Sequence, residues 1–409
     1  MRRYLKSLLF CGLSFCTTGF TQFPGTHNYM FFNTNDLVFF PIHGVTYDDE
    51  SGGAVSYAGD VNGDGIDDVI IGAKKAEFGV QPAGNSSGES YVVFGRATDT
   101  KMELSNLDTN TGNHGFIIRG IHPGNFSGAS VSAAGDVNGD GLDDIIIGAY
   151  GAGDSGVNVR GESYVVFGKT STTEVNLSHI RSNTGGHGFL IRGSKSYDQS
   201  GFSVSGAGDV NGDGLDDIII GAPLADPTYL IDDGQASAGL SYVVYGKTTS
   251  TPVRLSDVEG YSGSHGFAIH GASVDDRSGI SVSGAGDVNG DCFDDVIIGA
   301  KDADPNGTSN KGSSYVVFGK STASASTVGL SNIESNSGYH GFAIYGSRYL
   351  DYSGSAVSKA GDMNKDGLGD VIVGSPMADP RRNSGRENAA GISYVIFGKA
   401  TTTPVQLTD

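Results

Sequence analysis

This sequence predicts an all-β fold, a β-propeller of four-stranded blades, and three observations carry the prediction. The first is an internal repeat: DVNGDGIDD at Asp60 returns in closely similar form at Asp136, Asp209, Asp287 and Asp362, at spacings of 73 to 78 residues. The second is composition. With 65 glycines, no tryptophan and 18% charged residues, the short runs of Val, Ile, Tyr and Phe suit strands joined by tight turns, and no helical pattern of useful length appears. The third is four strand-like runs per period, which in the second copy read SGASVSAAG (127–135), DDIIIGA (143–149), ESYVVFG (162–168) and HGFLIRG (187–193). Runs as apolar as IIIG and YVVFG need cover on both faces, which neighbouring blades supply.

From the N-terminus, MRRYLKSLLFCGLSFCTTGF has a basic start, an apolar run and then small residues, the order of a secretory signal peptide over residues 1–20, with a lead-in over 21–36. Cys11 and Cys16 fall inside it, so a processed chain keeps Cys292 alone and forms no internal disulfide. The repeat domain takes residues 37–409. LVFFPIHG (37–44) aligns with HGFAIHG (265–271) as a spare fourth strand, whereas the fifth copy, SYVIFGKATTTPVQLTD, lacks one. The expectation is that the spare strand completes the fifth blade and closes a ring of five.

The repeated loop joins the first and second strands and offers oxygens at alternate positions. Counting Asp136 as position 1, Asn138 and Asp140 fall at 3 and 5, Leu142 presents its carbonyl at 7, and Asp144 closes at 9. Ca²⁺, which takes about six to eight oxygen ligands in flexible geometry, suits this spacing. The other sets are Asp60, Asn62, Asp64, Ile66 and Asp68; Asp209, Asn211, Asp213, Leu215 and Asp217; Asp287, Asn289, Asp291, Phe293 and Asp295; and Asp362, Asn364, Asp366, Leu368 and Asp370. An EF-hand loop requires an acid at position 12, where this chain has Ile147, and a β-roll repeats about every nine residues. A simple Asx-turn needs one acid, not three in alternation. Position 8 (Asp143) should point away from the ion, since the fifth copy has Gly369 there. Position 6 calls for φ > 0, so Cys292 in the fourth copy carries a strain of about 1–2 kcal/mol and marks the weakest site.

DVNGDGLDDIIIGAP (209–223), with its G-A-P, and SYVVFG (163–168), with its F-G, resemble the FG-GAP repeats of the integrin α-subunit β-propeller and related secreted proteins. The resemblance spans residues 37 to 409, although Pro follows only in the third and fifth copies, at Pro223 and Pro376. It implies a propeller with calcium loops on its lower face, at Asp60, Asn62, Asp64 and Asp68 and their equivalents, and an extracellular adhesion role with a protein or glycan ligand. Propellers of that family have seven blades, so a fragment of a larger ring is the alternative to five-bladed closure. Ending at VQLTD without leg domains or a membrane span, the chain is expected to be a propeller module and not a complete subunit.

A formal charge of −20 excludes nucleic acid as the expected partner, because phosphate binding needs clustered Lys and Arg. Five divalent ions would halve that charge. His114, His187, His265 and His340 recur in HGF once per repeat and read as parts of the fold; no H-E-x-x-H occurs, and Cys292 sits in an acidic loop that disfavours a thiolate. Loops joining fourth to first strands lie on the face opposite the acidic loops, and with the long loop of the third copy they offer Tyr47, Phe126, Tyr197, Tyr229, Arg277 and Tyr349 as ligand candidates. Asn85, Asn125, Asn176 and Asn306 begin N-x-S/T sequons. The expected function is that of a secreted, calcium-stabilised binding or adhesion module and not an enzyme; the alternative is a secreted hydrolase or lyase using the upper face.

Overall fold

The structure, a computed structural model, describes residues 40–77, 86–96, 101–109, 112–154, 158–226, 237–259, 264–321, 327–379 and 389–408. The signal segment, the lead-in, Asn85 and Tyr229 lie outside the described residues. The chain divides into Met1–Phe40 and Pro41–Asp409, and every strand discussed below belongs to the second unit.

Five antiparallel sheets follow one another, each opening with a first strand: Ala54–Gly59, Ser130–Gly135, Ser203–Gly208, Ser281–Gly286 and Ala356–Gly361. The second strands are Asp68–Ala73, Asp144–Ala149, Asp217–Ala222, Asp295–Ala300 and Asp370–Ser375; the third are Glu89–Val93, Glu162–Val166, Leu240–Val244, Ser313–Val317 and Ile392–Ile396. Gly115–Arg119, Gly188–Arg192, Gly266–His270 and Gly341–Tyr345 supply fourth strands to the first four repeats. This is the predicted order. The first strands pack side by side in chain order and line a common cavity of about 390 Å³.

Each of the first four sheets also gains a short fifth strand, parallel to the fourth and donated by the next repeat: Val175–Asn176, Val253–Arg254, Val328–Gly329 and Val405–Gln406. In the first three cases a single helical turn follows, at Leu177–Arg181, Leu255–Glu259 and Leu330–Glu334, and another lies at Ser105–Asp108. Residues at i and i+3, such as Leu177 with Ile180 and Leu330 with Ile333, are buried by each turn. One turn is too short to register as periodicity, so the sequence pattern does not reveal these elements.

Side chains on the two faces of the inner strands explain why the repeats need one another. Four apolar clusters fill the four junctions; the first joins Ile70, Val92 and Phe116 to Ile145, Ile147 and Tyr164, and the others repeat it one repeat further on. Val92, Val165, Val243 and Val316 are wholly buried, each at about 2 kcal/mol of apolar transfer.

The expected five-bladed closure is not what the strands form. Ile42–His43 pairs in parallel with Met102–Glu103, and among the described residues the fifth repeat is a three-stranded sheet. Residues 37–39 of the proposed closing strand lie outside the described residues. By register Met102–Glu103 stands to Ile42–His43 as Val175–Asn176 stands to Ile118–Arg119, so the N-terminal strand does hold a fourth-strand place, but among the described residues it pairs with no third strand.

Candidate functional site: the repeated acidic loop

In each loop the position-1 aspartate organises the turn. Asp136 Oδ1 accepts the N–H groups of Gly139 and Asp140 at 2.8 and 3.0 Å, and Oδ2 that of Gly141 at 2.9 Å; Asp60 and Asp209 repeat the pattern at comparable distances. At position 5, Asp140 Oδ1 accepts Leu142 N–H at 3.0 Å. Position 9 is the buried member. Asp68, Asp144, Asp217, Asp295 and Asp370 are at most 1% exposed. Each accepts one N–H from position 2 and one from the glycine of the F-G pair, as Asp144 does from Val137 at 3.0 Å and Gly168 at 2.8 Å. The two halves of the sequence signature therefore meet at one carboxylate. Gly168 has no room for a side chain, since a Cβ would stand 2.6 Å from Leu142 Cβ.

Burial pushes the Asp144, Asp217 and Asp295 carboxyls up to about 8, opposed by their backbone hydrogen bonds and reinforced by the aspartates at positions 5 and 1. Asp68 is raised to about 6 for the same reasons. The donor set is all oxygen, and Asn211 Oδ1 at position 3 is buried without a hydrogen-bond partner. Oxygen chemistry and that orphaned acceptor fit a hard cation. Among the described residues no three His, Cys, Asp or Glu side chains converge as a metal cluster, because the carboxylates are turned onto loop N–H groups. Cys292 at position 6 has φ 71°, the left-handed conformation its place in the motif demanded.

Position 8 has a role the spacing did not disclose. Asp143 Oδ2 accepts the N–H of Asp60, position 1 of the preceding repeat, at 2.7 Å; Asp216 does so from Asp136 at 2.8 Å and Asp294 from Asp209 at 2.9 Å. Position 8 also donates its own N–H to the position-1 carbonyl of the preceding repeat, as Asp143 does to Asp60 O at 3.3 Å, and Gly369 of the fifth repeat, which has no carboxylate, keeps this bond alone, to Asp287 O at 2.7 Å. Position 7 also works through its side chain: Leu142 Cδ2 lies 2.8 Å from where a Cβ on Gly63 would be, so position 7 of one repeat covers the position-4 glycine of the repeat before. Lys169, Lys247, Lys320 and Lys399, each following an F-G or Y-G pair, set Nζ over Phe116, Phe189, Phe267 and Phe342 of the preceding repeat. The acidic loops are thus also the fasteners between repeats.

The loops on the other face share a skeleton despite their differing sequences. Asp49, Asp198, Asp276 and Asp351 are buried, and each accepts the N–H three residues before it, at 2.7–3.0 Å. Residues flanking them adopt φ > 0, among them Tyr197 at 72° and Arg277 at 52°. Of the ligand candidates, Tyr47, Tyr197 and Tyr349 are 90%, 68% and 52% exposed and sit on non-adjacent repeats. Phe126 instead stacks on Tyr150 at 5.4 Å between centroids, with Phe202 beyond, and Arg277 pairs with Asp302 at 3.4 Å. The recurrent histidines accept through their main-chain carbonyls, as His114 O does from Phe94 N–H at 2.9 Å. Asn125 is buried, Asn176 caps a helical turn by accepting from Ser178 N–H at 2.9 Å, and Asn306 is exposed.

Comparison with known proteins agrees with this geometry. The chain is 30% identical to integrin alpha pat-2 of Caenorhabditis elegans over 62% of its length and 18% of that protein, and 28% identical to integrin alpha-PS2 of Drosophila melanogaster over 63% and 16%. It is 29% identical to phosphatidylinositol-glycan-specific phospholipase D of Bos taurus over 54% of its length and 24% of that enzyme. The chain thus spans less than a quarter of the length of these relatives. The FG-GAP repeat pattern matches residues 52–93, 127–166, 200–244, 278–317 and 353–396, the five stretches that run from before each first strand to the third strand. Five matched repeats, each closing its F-G glycine onto the last aspartate of its own loop, make this chain a member of the FG-GAP repeat family.

Proposed function

We propose that the chain is a calcium-stabilised FG-GAP β-propeller module that acts outside the cell in binding or adhesion. The observation that supports this most is the loop itself, which carries oxygen donors at positions 1, 3, 5, 7 and 9 in all five repeats and leaves Asn211 Oδ1 buried and unpartnered. The side chains at 1, 3, 5 and 9 and the carbonyl at 7 would hold the ion, which draws the loop carboxylates together without mutual repulsion. Because the same loops fasten adjacent repeats, the ion orders the junctions as well as the turns. Similarity to integrin α chains supports adhesion, and the N-terminal segment supports secretion; no described helix is long and apolar enough to cross a membrane. The exposed Tyr47, Tyr197 and Tyr349, held by strained turns on the face away from the acidic loops, are the ligand contacts this reading favours, for a protein or glycan.

Calcium removal tests the first half. At millimolar calcium and site constants of about 10⁻⁴–10⁻³ M, each loop contributes roughly 0.4–1.4 kcal/mol, so five contribute about 2–7. EDTA should lower the melting temperature by several degrees, and metal analysis should return several calcium ions per chain. An unchanged melt with metal-free protein would overturn the assignment. For the second half, a protein and glycan array probed with and without calcium should give binding that Tyr197→Ala or Tyr349→Ala weakens; binding indifferent to both substitutions would place the ligand elsewhere.

A further inference from the structure

The upper end of the second blade carries a charge pattern that the first, third and fourth do not share. Four places meet there in each blade: the residue two before the third strand, the last residue of the helical turn, and the last residues of the fourth strand and of the donated fifth strand. In the second repeat all four are arginine, Arg160, Arg181, Arg192 and Arg254. The first repeat has Ser87, Asp108, Arg119 and Asn176 in these places, the third Ala238, Glu259, His270 and Gly329, and the fourth Lys311, Glu334, Tyr345 and Gln406. A feature that recurs in every repeat belongs to the fold, whereas this one is confined to a single repeat.

Neutralisation differs in the same way. In the first repeat Arg119 is saturated by three carboxylates, Glu89 at 2.7 Å, Glu174 at 2.9 Å and Asp108. In the second, the buried Glu162 is shared by the Tyr164 hydroxyl, Arg181 at 3.4 Å and Arg192 at 3.7 Å, and Arg181 also reaches Gly153 O at 3.4 Å. Arg181 is therefore fixed by the fold. Among the described residues Arg160 and Arg254 make no ion pair, and Arg160 Nε and Arg192 Nε are buried without a hydrogen-bond partner. Arg160 and Arg192 line one recess with Ala152, Gly153 and Gly161, whose small side chains leave room beside the guanidinium groups. Arg254 is exposed and stands next to Arg192 in register. In a chain of formal charge −20, this is a local excess of positive charge with donors left over.

An aromatic ring adjoins the arginines. The loop that carries Tyr197 lies along them, with Tyr197 N–H donating to Val159 O at 2.5 Å and Ser200 N–H to Arg160 O at 3.0 Å. Tyr197 is held at φ 72° with 68% of its surface exposed. Planar guanidinium forks match a carboxylate or sulfate with two hydrogen bonds each, and an exposed tyrosine ring offers an apolar face to a sugar ring. The acidic remainder of the molecule repels a long, densely charged polyanion and leaves a short or sparsely charged one. We propose that Arg160, Arg192 and Arg254, with Tyr197, form a binding site for an anionic sugar, a pyranose ring bearing a carboxylate or sulfate, presented by such a glycan. This rests on the reading of the upper face as the ligand face and narrows its ligand from a protein or glycan to an acidic glycan.

Titration calorimetry of the full chain tests it with a hexasaccharide of alternating glucuronate and N-acetylglucosamine, its sulfated counterpart and its methyl ester. One or both anionic forms should bind, the tighter naming the anion; the neutral ester should bind about tenfold more weakly or worse, and rising salt should weaken the anionic forms alone. Arg160→Gln with Arg254→Gln, which leaves the pairing of Glu162 intact, should weaken the anionic forms by about tenfold or more with the melt unchanged. Equal binding of ester and acid, or no binding of either anionic form at millimolar concentration, would overturn the proposal. A hexaglutamate peptide bound as tightly as the sugars would overturn it in favour of an acidic peptide. Binding that Tyr197→Ala weakens and the arginine substitutions do not would overturn this site and leave the upper-face reading standing, whereas binding indifferent to all three would count against both. Should the arginine variant fail to fold, the ester and salt comparisons on the unmodified chain decide.

Discussion

Two residues in this chain hold unfavourable states that can be relieved singly. Cys292 sits at φ 71° where the other four repeats have glycine, so Cys292→Gly should raise stability by about 1 kcal/mol in a denaturant titration; no gain would show that the loop does not feel the strain. Asp198 and Asp276 are buried beneath the upper turns, and desolvation pushes both carboxyls up to about 7 from 3.8. The folded pKa lies above the unfolded one, so the native state holds the extra proton and stability falls as pH rises from about 4 to about 7. The second repeat has Asn125 at this place. Asp198→Asn with Asp276→Asn should therefore raise stability at pH 8, by about 1 kcal/mol or more per site, and leave it near that of the parent at pH 4, read from denaturant melts at the two pH values. A gain equal at both pH values would point to something other than charge. Sequence patterning made Cys292 legible, because the motif names the conformation of each position; the buried aspartates also recur, as Asp or Asn two residues before Ser-Gly in all five copies, but spacing alone did not tell that the carboxylate turns inward.

At the scale of the element, the acidic loop is both a turn and a fastener, and the second role belongs to position 8. Asp216→Ala would leave the Asp136 N–H unpaired at a half-buried junction and should cost about 1–3 kcal/mol, with Asp216→Asn restoring part of it. Asp67→Ala, whose carboxylate among the described residues accepts from the Tyr57 hydroxyl at 3.3 Å and from no preceding repeat, should cost far less. Equal losses in denaturant melts would refute the fastening role. Alternation along the loop told that position 8 points away from positions 1, 3, 5 and 9, but not what it points toward. That partner lies 80 residues earlier in the Asp136–Asp216 pair, and no local pattern encodes it. The fifth strands and single helical turns were hidden for a related reason: two residues of strand and five of helix carry too few side chains to show a period.

For the whole molecule, an array in which each repeat packs on its neighbours in the chain predicts graded stability. Hydrogen exchange should be slowest in Asp217–Ala222 and Leu240–Val244, flanked on both sides, and fastest in Ile392–Ile396 of the fifth repeat, whose alternate residues are exposed. Uniform protection across all five repeats would mean that the array unfolds as one unit. The sequence by itself determined the repeat, the order of four strands, the oxygen-bearing loop and the left-handed turn at Cys292, because each follows from side-chain alternation and turn chemistry within about ten residues. Only the tertiary structure decided that position 8 reaches the preceding repeat, that Ile42–His43 takes Met102–Glu103 as its partner, and that the first and fifth repeats keep bare faces. A fourth strand has the same local pattern whichever blade it joins, so its partner is chosen by the packing of distant repeats, a free-energy balance no local stretch contains.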